Sequence, residues 1–369
     1  GDVVVTMDHA GLWTDSRYFI QALAQLDGTG VELHKTRQPD TVRIPQWLAG
    51  RAKTVAVDGL CQSVSGVQEI EECLGEGGLV VDVPDLLQEL WEGRPQIPVT
   101  PITTLDVEAF GGIPRIDKIS WLRKWMLLNG YDKVLLSSLD EIAWMLNVRG
   151  SDIDYNPLVI SYLLVSQDYV KWFVKKTASD AELDPDTLDS FSELRMDGVD
   201  VEDYDAVYFA LSDFGQEGTS GTIFVDPATL NSNIYKCISD SFAPDSVVCG
   251  QSPVIMEKAL KSPSEIENFR QAYIEDGVAM ECFIHWLESE VASGREVTEW
   301  EASERLTAFR AEIPGYRGNS FENISAYGPD AALPHYSTPE TGSAVIRPHG
   351  LYLVDSGGQY LTGTTETTR

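Results

Sequence analysis

Apolar positions in this chain change period along its length. Near the start, Val3 to Thr6 and Leu12 to Asp15 alternate as short strands around a polar turn, Asp8 to Gly11. Ser16 is placed to cap a helix through Leu26, with Tyr18, Ala22, Leu23 and Leu26 near one face. Val31 to Leu33 and Thr54 to Val57 continue the alternation of strand and helix. Past Pro114, Ile116 to Leu128 has helical spacing and closes at Gly130. Lys133 to Leu136 reads as a buried strand, and Ser138 to Glu141 as a capping box opening a helix toward Asn147. Leu158 to Val165 and Tyr169 to Val174 predict a hairpin, Asp180 to Asp205 an acidic interval with helical patches, and Thr222 to Val225 another strand.

The pattern then lengthens. Ser262, Pro263 and Glu265 mark a helix start, followed by a stripe of Ile266, Phe269, Tyr273, Met280, Phe283, Ile284, Leu287 and Val291. Gly294 ends it, and Thr298 to Glu301 is a second capping box, for a helix through Phe309. Phe321 to Ser325 is a strand. Leu351 to Asp355, two glycines (Gly357 and Gly358) and the threonine-rich run Tyr360 to Thr368 read as a β-hairpin. The expectation is an α/β (α+β) chain in three domains, 1–112, 113–257 and 258–369.

That hairpin carries the chemistry. Facing strand positions sit about 5 Å apart at Cβ, so a turn at the glycines sets Asp355 beside Glu366. Two carboxylates that close repel unless a cation or a proton lies between them, and hard divalent metals take oxygen ligands. In an acidic chain such a pair is also compatible with two solvated side chains on an exposed hairpin.

Composition narrows the setting. The 369 residues carry a formal net charge of −31 and are 43% hydrophobic. That charge argues against binding nucleic-acid backbone or an anionic membrane. Five scattered cysteines, with no CxxC spacing, fit reduced thiols in a cytosolic protein. No apolar run approaches a membrane span. The chain opens without a methionine and stops in a strand, so both ends read as cut. Met280 and its aromatic neighbours read as core, and His285 as a packed or surface residue. His9, in the polar turn, is assigned nothing.

DSGGQY followed by GTTETTR, with SAYGPDAALPHYSTPE upstream, WTDSRYF near the start and DEIAWMLNVRGSD in the middle, resembles the pita-bread metallopeptidases of the cytosolic X-prolyl aminopeptidase kind. The resemblance runs over essentially the whole chain. It implies two tandem creatinase-type α/β domains before a pita-bread catalytic domain whose later part is missing here. It implies Asp355 and Glu366 as ligands of two divalent metals, manganese(II) preferred, with Arg369 in support behind them. His335 would hydrogen-bond the substrate and the tetrahedral intermediate, and Arg17 would help bind substrate. The implied reaction removes the first residue from peptides with proline second, through a metal-bridging hydroxide. A cytoplasmic homodimer is the implied setting.

Two departures stand out. The family's second acid is usually aspartate, and here it is Glu366. A further histidine and two glutamates, expected later in the chain, have no counterpart, so this stretch alone is expected to be inactive. Two other readings remain: a non-catalytic pita-bread protein that binds partners, favoured by Glu366, and a metal-free creatinase-type amidinohydrolase, disfavoured by the retained acid motifs. RGSD at Arg149 to Asp152 reads as a structural turn.

Overall fold

The most continuous apolar runs become the strands of one central sheet. The computed structural model describes residues 1–110, 112–176, 183–216 and 221–369, and the side chains of 213–216 lie outside the description. The chain packs as two units, Leu48–Ser262, and Gly1–Trp47 with Pro263–Arg369.

In the first of these, six strands run in the order Val199–Asp203, Val170–Val174, Ser161–Ser166, Lys133–Leu136, Ile223–Val225, Val247–Cys249. The sheet is mixed. Ser161–Ser166 is antiparallel to both neighbours, and the remaining pairs are parallel. Strand alternation sorts its side chains into two cores. Val134, Leu136, Leu163, Val165 and Trp172 enter one, with Leu122, Met126, Ile142 and Phe191 from helices Arg115–Asn129, Leu139–Leu146 and Pro185–Met196. Leu135, Leu164, Phe173, Ile223 and Val225 enter the other, with Val207, Leu211, Ile234 and Ile238 from helices Ala206–Gln216 and Ser232–Ser241. A sheet covered on both faces needs near-continuous apolar strands, and every residue of Lys133–Leu136 and Ser161–Ser166 is buried.

Some expectations shift. The acidic interval from Asp180 begins on residues outside the description (180–182). Its later part holds the helix Pro185–Met196 and the edge strand Val199–Asp203, whose Val199 and Val201 are buried. The capping box at Ser138 does not form. Ser138 Oγ donates to Asp140 Oδ1 at 2.6 Å, while the Glu141 carboxylate turns inward to accept from Ser252 Oγ at 2.5 Å. Asp152 of the RGSD turn accepts from Thr100 N and Oγ1 and from Ile160 N, a structural role. The packing division also runs differently from the expected 1–112, 113–257 and 258–369.

In the second unit, Asp2–Val5 pairs antiparallel with Ala10–Thr14, which pairs parallel with Glu32–Lys35. Asp15, not Ser16, caps the following turn: its side chain accepts from Arg17 N, and helix Phe19–Leu26 comes after. Helix Pro263–Ala292 buries Ala272, Asp276, Ala279, Met280, Phe283 and Leu287. Ile266 and Tyr273 of the expected stripe are exposed, because the buried line passes through Asp276 instead. This helix packs on Glu299–Ala311. Thr298 caps the latter through Glu301 N at 3.2 Å. The Glu301 carboxylate pairs with Arg295 rather than completing a box. Short antiparallel strands follow: Ile324–Tyr327, Tyr352–Ser356 and Thr367–Thr368 in one sheet, and Tyr316–Asn319, Gly358–Tyr360 and Gly363–Thr364 in another. Among the described residues no helix is long and apolar enough to cross a membrane.

Candidate active site

The hairpin forms, but its turn is not where the glycines suggest. Asp355 faces Thr368 and Ser356 faces Thr367; Gln359 faces Thr364 and Tyr360 faces Gly363. Both segments keep one register, so Gly357 and Gly358 lie within the ribbon and the chain reverses at Leu361 and Thr362. The glycines serve close approach instead. A Cβ on Gly357 would stand 2.0 Å from the carbonyl oxygen of Thr365 and 2.3 Å from Ser320 Oγ. That space is filled by the hydrogen bond from Ser320 Oγ to Thr365 O (2.9 Å). Thr365 is buried, and its Oγ1 accepts from Gly358 N at 2.9 Å.

This register changes the relation of the two acids. Asp355 stands opposite Thr368, whose Oγ1 donates to Asp355 Oδ1 at 2.8 Å. Glu366 lies two positions before Thr368, between the strands Gly363–Thr364 and Thr367–Thr368. The acids are therefore offset by two positions rather than directly opposed. Glutamate's extra methylene gives Glu366 longer reach across that offset. Asp355 is half-buried and Glu366 exposed. Arg369 pairs its backbone with Val354, and its side chain donates to the carbonyl of Thr368 (2.9 Å).

Behind this face the side chains are polar and dry. Ser356 Oγ accepts from Arg310 Nη2 (3.1 Å). Arg310, fully buried, also binds Asp276 through Nε (2.7 Å) and Nη2 (3.2 Å), and Tyr360 Oη donates to Asp276 Oδ1 (2.7 Å). Burial together with the Asp276 charge pushes the Tyr360 phenol well above its ordinary range, which keeps it a donor. Alternation along the ribbon thus presents Asp355 outward and ties Ser356 to the core. Asp276 was legible as an acid at helical spacing between Ala272 and Met280. Arg310 carried no such mark.

His335 meets Arg17 in the same unit. Arg17 Nη1 lies 3.5 Å from His335 Nε2, and Tyr18 Oη lies 3.3 Å from His335 Nδ1. Arginine can only donate, so a hydrogen bond between the two uses Nε2 as the acceptor. Arg17 is itself held by Asp15, through Nε to Oδ1 and Nη2 to Oδ2, both 2.8 Å. That pair holds the Asp15 carboxyl well below its usual range, and Asp15 in turn raises Arg17. Sequence reading missed Asp15 and Tyr18, although both flank Arg17 in WTDSRYF.

The loop bearing His335 is anchored at Glu299, which is fully buried. Glu299 Oε2 accepts from Tyr336 Oη (2.9 Å) and Ala344 N (3.0 Å), and Oε1 from Tyr327 N (2.6 Å). Tyr327 belongs to the strand paired with Tyr352–Ser356, where Ile324 faces Asp355. One buried carboxylate thus binds both the histidine loop and the neighbour of the acid-bearing strand. At the first position of a helix it reads in sequence as an ordinary acid near the dipole.

The donor set on the hairpin fits part of a hard-metal site: carboxylate oxygens only. Among the described residues neither Asp355 nor Glu366 belongs to a group of three metal-holding side chains.

Residues 93–265 match the Creatinase/Prolidase N-terminal domain, and residues 267–369 match metallopeptidase family M24. The whole chain aligns at 33% identity with 56% of a probable Xaa-Pro aminopeptidase P of Laccaria bicolor, and at 35% with 60% of one from Pyricularia oryzae. It superposes with a TM-score of 0.89 and 32% identity on 59% of the X-prolyl aminopeptidase of Caenorhabditis elegans, described as a cytosolic enzyme with a di-nuclear active site. The chain thus spans well under two thirds of the length of these relatives. Its carboxyl-terminal segment is similar to metallopeptidase family M24 and follows a segment similar to the Creatinase/Prolidase N-terminal domain.

Proposed function

We propose that the whole protein is a dimetal X-prolyl aminopeptidase, releasing the amino-terminal residue from peptides with proline at the second position. One observation supports the reading: Asp355 faces Thr368 on a ribbon that Gly357 holds tightly against Thr365, and Glu366 stands two positions before Thr368 on the same ribbon. Divalent cations held there, manganese(II) in this proposal, would supply a water acidified toward neutral pH and charge stabilisation for the oxyanion.

The chain's own residues do the rest. Asp355 and Glu366 give carboxylate oxygens, and Arg369 supports them through the backbone ladder it shares with Val354. His335, exposed on its Glu299-anchored loop, hydrogen-bonds the substrate at the scissile carbonyl. Arg17, oriented by Asp15, presents a fixed cation to the peptide backbone. The remaining metal ligands are not among the described residues, so the 369-residue chain by itself is expected to be inactive. A cytoplasmic setting belongs to the same proposal, supported by likeness to the nematode enzyme described as cytosolic, and a homodimer belongs to it as well. So does the division into modules 1–112, 113–257 and 258–369.

The test is release of the first residue from an Arg-Pro-Pro peptide by the whole protein with manganese(II). His335→Ala should lower kcat about 10²–10³-fold, the scale for losing one oxyanion donor. An unchanged rate removes His335 from the mechanism. Glu366 favours a second reading, a partner-binding protein with this fold. No turnover, no bound metal, and recovery of metal binding in Glu366→Asp would establish that reading instead.

A further inference from the structure

Three ligand-type side chains converge elsewhere in the same unit, and neither the motifs nor the proposed peptidase chemistry uses them. His9 sits in the turn between Asp2–Val5 and Ala10–Thr14. Glu32 and His34 stand two apart on the strand Glu32–Lys35, opposite Gly11 and Trp13, so both point to one face. His9 Nε2 and His34 Nε2 lie 3.3 Å apart. Glu32 closes the group, with Oε1 4.0 Å from His34 Nε2 and Oε2 3.7 Å from His9 Nδ1. One ligand atom from each of the three lies within 4.8 Å of the others.

The surroundings hold these rings in place. His34 stacks flat on the buried Trp13, with centroids 3.8 Å apart and planes at 3°. His9 leans on Trp47 at 4.8 Å. Gly11 makes the room: a Cβ there would stand 2.7 Å from His9 Nε2 and 2.8 Å from His34 Nε2. A side chain at position 11 would occupy the space over which the two nitrogens converge.

One alternative is a hydrogen bond between the imidazoles with Glu32 pairing to a ring at 3.7–4.0 Å. The separation matches another arrangement. Two nitrogens each about 2.0–2.1 Å from one tetrahedral zinc stand about 3.3–3.4 Å apart. We propose that His9, Glu32 and His34 form a mononuclear site for a zinc-class divalent cation, separate from the hairpin acids. Two imidazoles and one carboxylate suit zinc, cobalt, nickel or copper over magnesium or manganese. The Glu32 side chain is 64% exposed, so a fourth coordination position faces solvent. A bound cation would tie the His9 turn to Glu32–Lys35 and stiffen Ala10–Thr14, the strand that leads directly into Asp15 and Arg17.

The experiment is titration of the 369-residue chain with cobalt(II) alone, read by the visible bands of four-coordinate cobalt and by tryptophan quenching from Trp13 and Trp47. One equivalent should bind, zinc(II) should displace it, and manganese(II) should not. Glu32→Gln changes an exposed side chain and leaves the packing intact; it should weaken cobalt at least about tenfold, the lower end of what even outer-sphere changes cost at metal sites. His34→Gln should do the same, and Asp355→Asn should leave affinity unchanged. Absence of stoichiometric binding, or affinity that survives Glu32→Gln and His34→Gln, overturns the proposal. So does affinity lost in Asp355→Asn, which would put the ion on the hairpin. No arm depends on peptidase turnover, so failure of the aminopeptidase reading leaves this test standing.

Discussion

The two units keep their chains folded by different means. Leu48–Ser262 buries two apolar cores on the faces of a six-stranded sheet. The unit of 1–47 and 263–369 has one smaller apolar cluster, so its buried charges, Asp276, Glu299 and Arg310, stand beside less apolar packing than Lys118 and Glu141 do in the sheet unit. Apolar burial is non-directional, so the first arrangement tolerates exchange of one apolar residue for another of similar volume. A buried ion must have its partners at bonding distance, so the second fixes directions. Directions are what the hairpin acids and the His335 loop require.

The largest expected effect breaks the polar side of that contrast. Arg310→Met leaves Asp276 buried without its cation and should cost about 3–5 kcal/mol. Paired with Asp276→Leu it should recover most of that loss, because neither charge then remains. Urea unfolding of the single and double variants decides it, and a double variant no better than the single one would show that the pair is not the source. In the sheet unit, Leu163→Ala, fully buried, should cost about 2–5 kcal/mol, and Leu163→Met much less. Equal losses for the two would show that this core is as direction-bound as the other.

The smallest effect sharpens the comparison with a buried acid inside the sheet unit. Burial, with Asp226 nearby, raises Glu141 above its ordinary 4.5, against the hydrogen bond from Ser252. The folded state then holds a proton that the unfolded chain has released, so stability falls as pH rises from 4.5 through the raised value. Glu141→Gln keeps an acceptor for Ser252 and carries no charge. It should be more stable than the parent at pH 7 and equal to it near pH 4, by thermal melts across that range. Identical melts at both pH values would remove Glu141 as a cost to this unit.

Part of the site could be read before any coordinates. The hairpin that carries Asp355 and Glu366 followed from the apolar run, the glycines and the threonine content, and the strands pair as a hairpin. The turn was misplaced because Gly357 and Gly358 resemble turn residues, whereas Gly357 admits the Thr365 carbonyl and Gly358 the Tyr360 ring. The capping box at Ser138 failed for a related reason: Glu141 found Ser252, 111 positions away, a partner that no local pattern announces. His9 was passed over because its companions, Glu32 and His34, arrive only through a parallel strand pairing.

What the sequence determined by itself was periodic or local: the alternation that builds the sheet, the helical stripe after Pro263, the acid-bearing ribbon and the likeness of its motifs. Tertiary structure decided which polar groups meet. It brought Arg17 and Tyr18 to His335, Asp276 to Arg310, and Glu299 to Tyr336. The physical reason is range. Apolar spacing reports an average environment that any neighbour can supply, while a hydrogen bond or ion pair needs one particular partner within about 3 Å, and only the folded path of the chain supplies it.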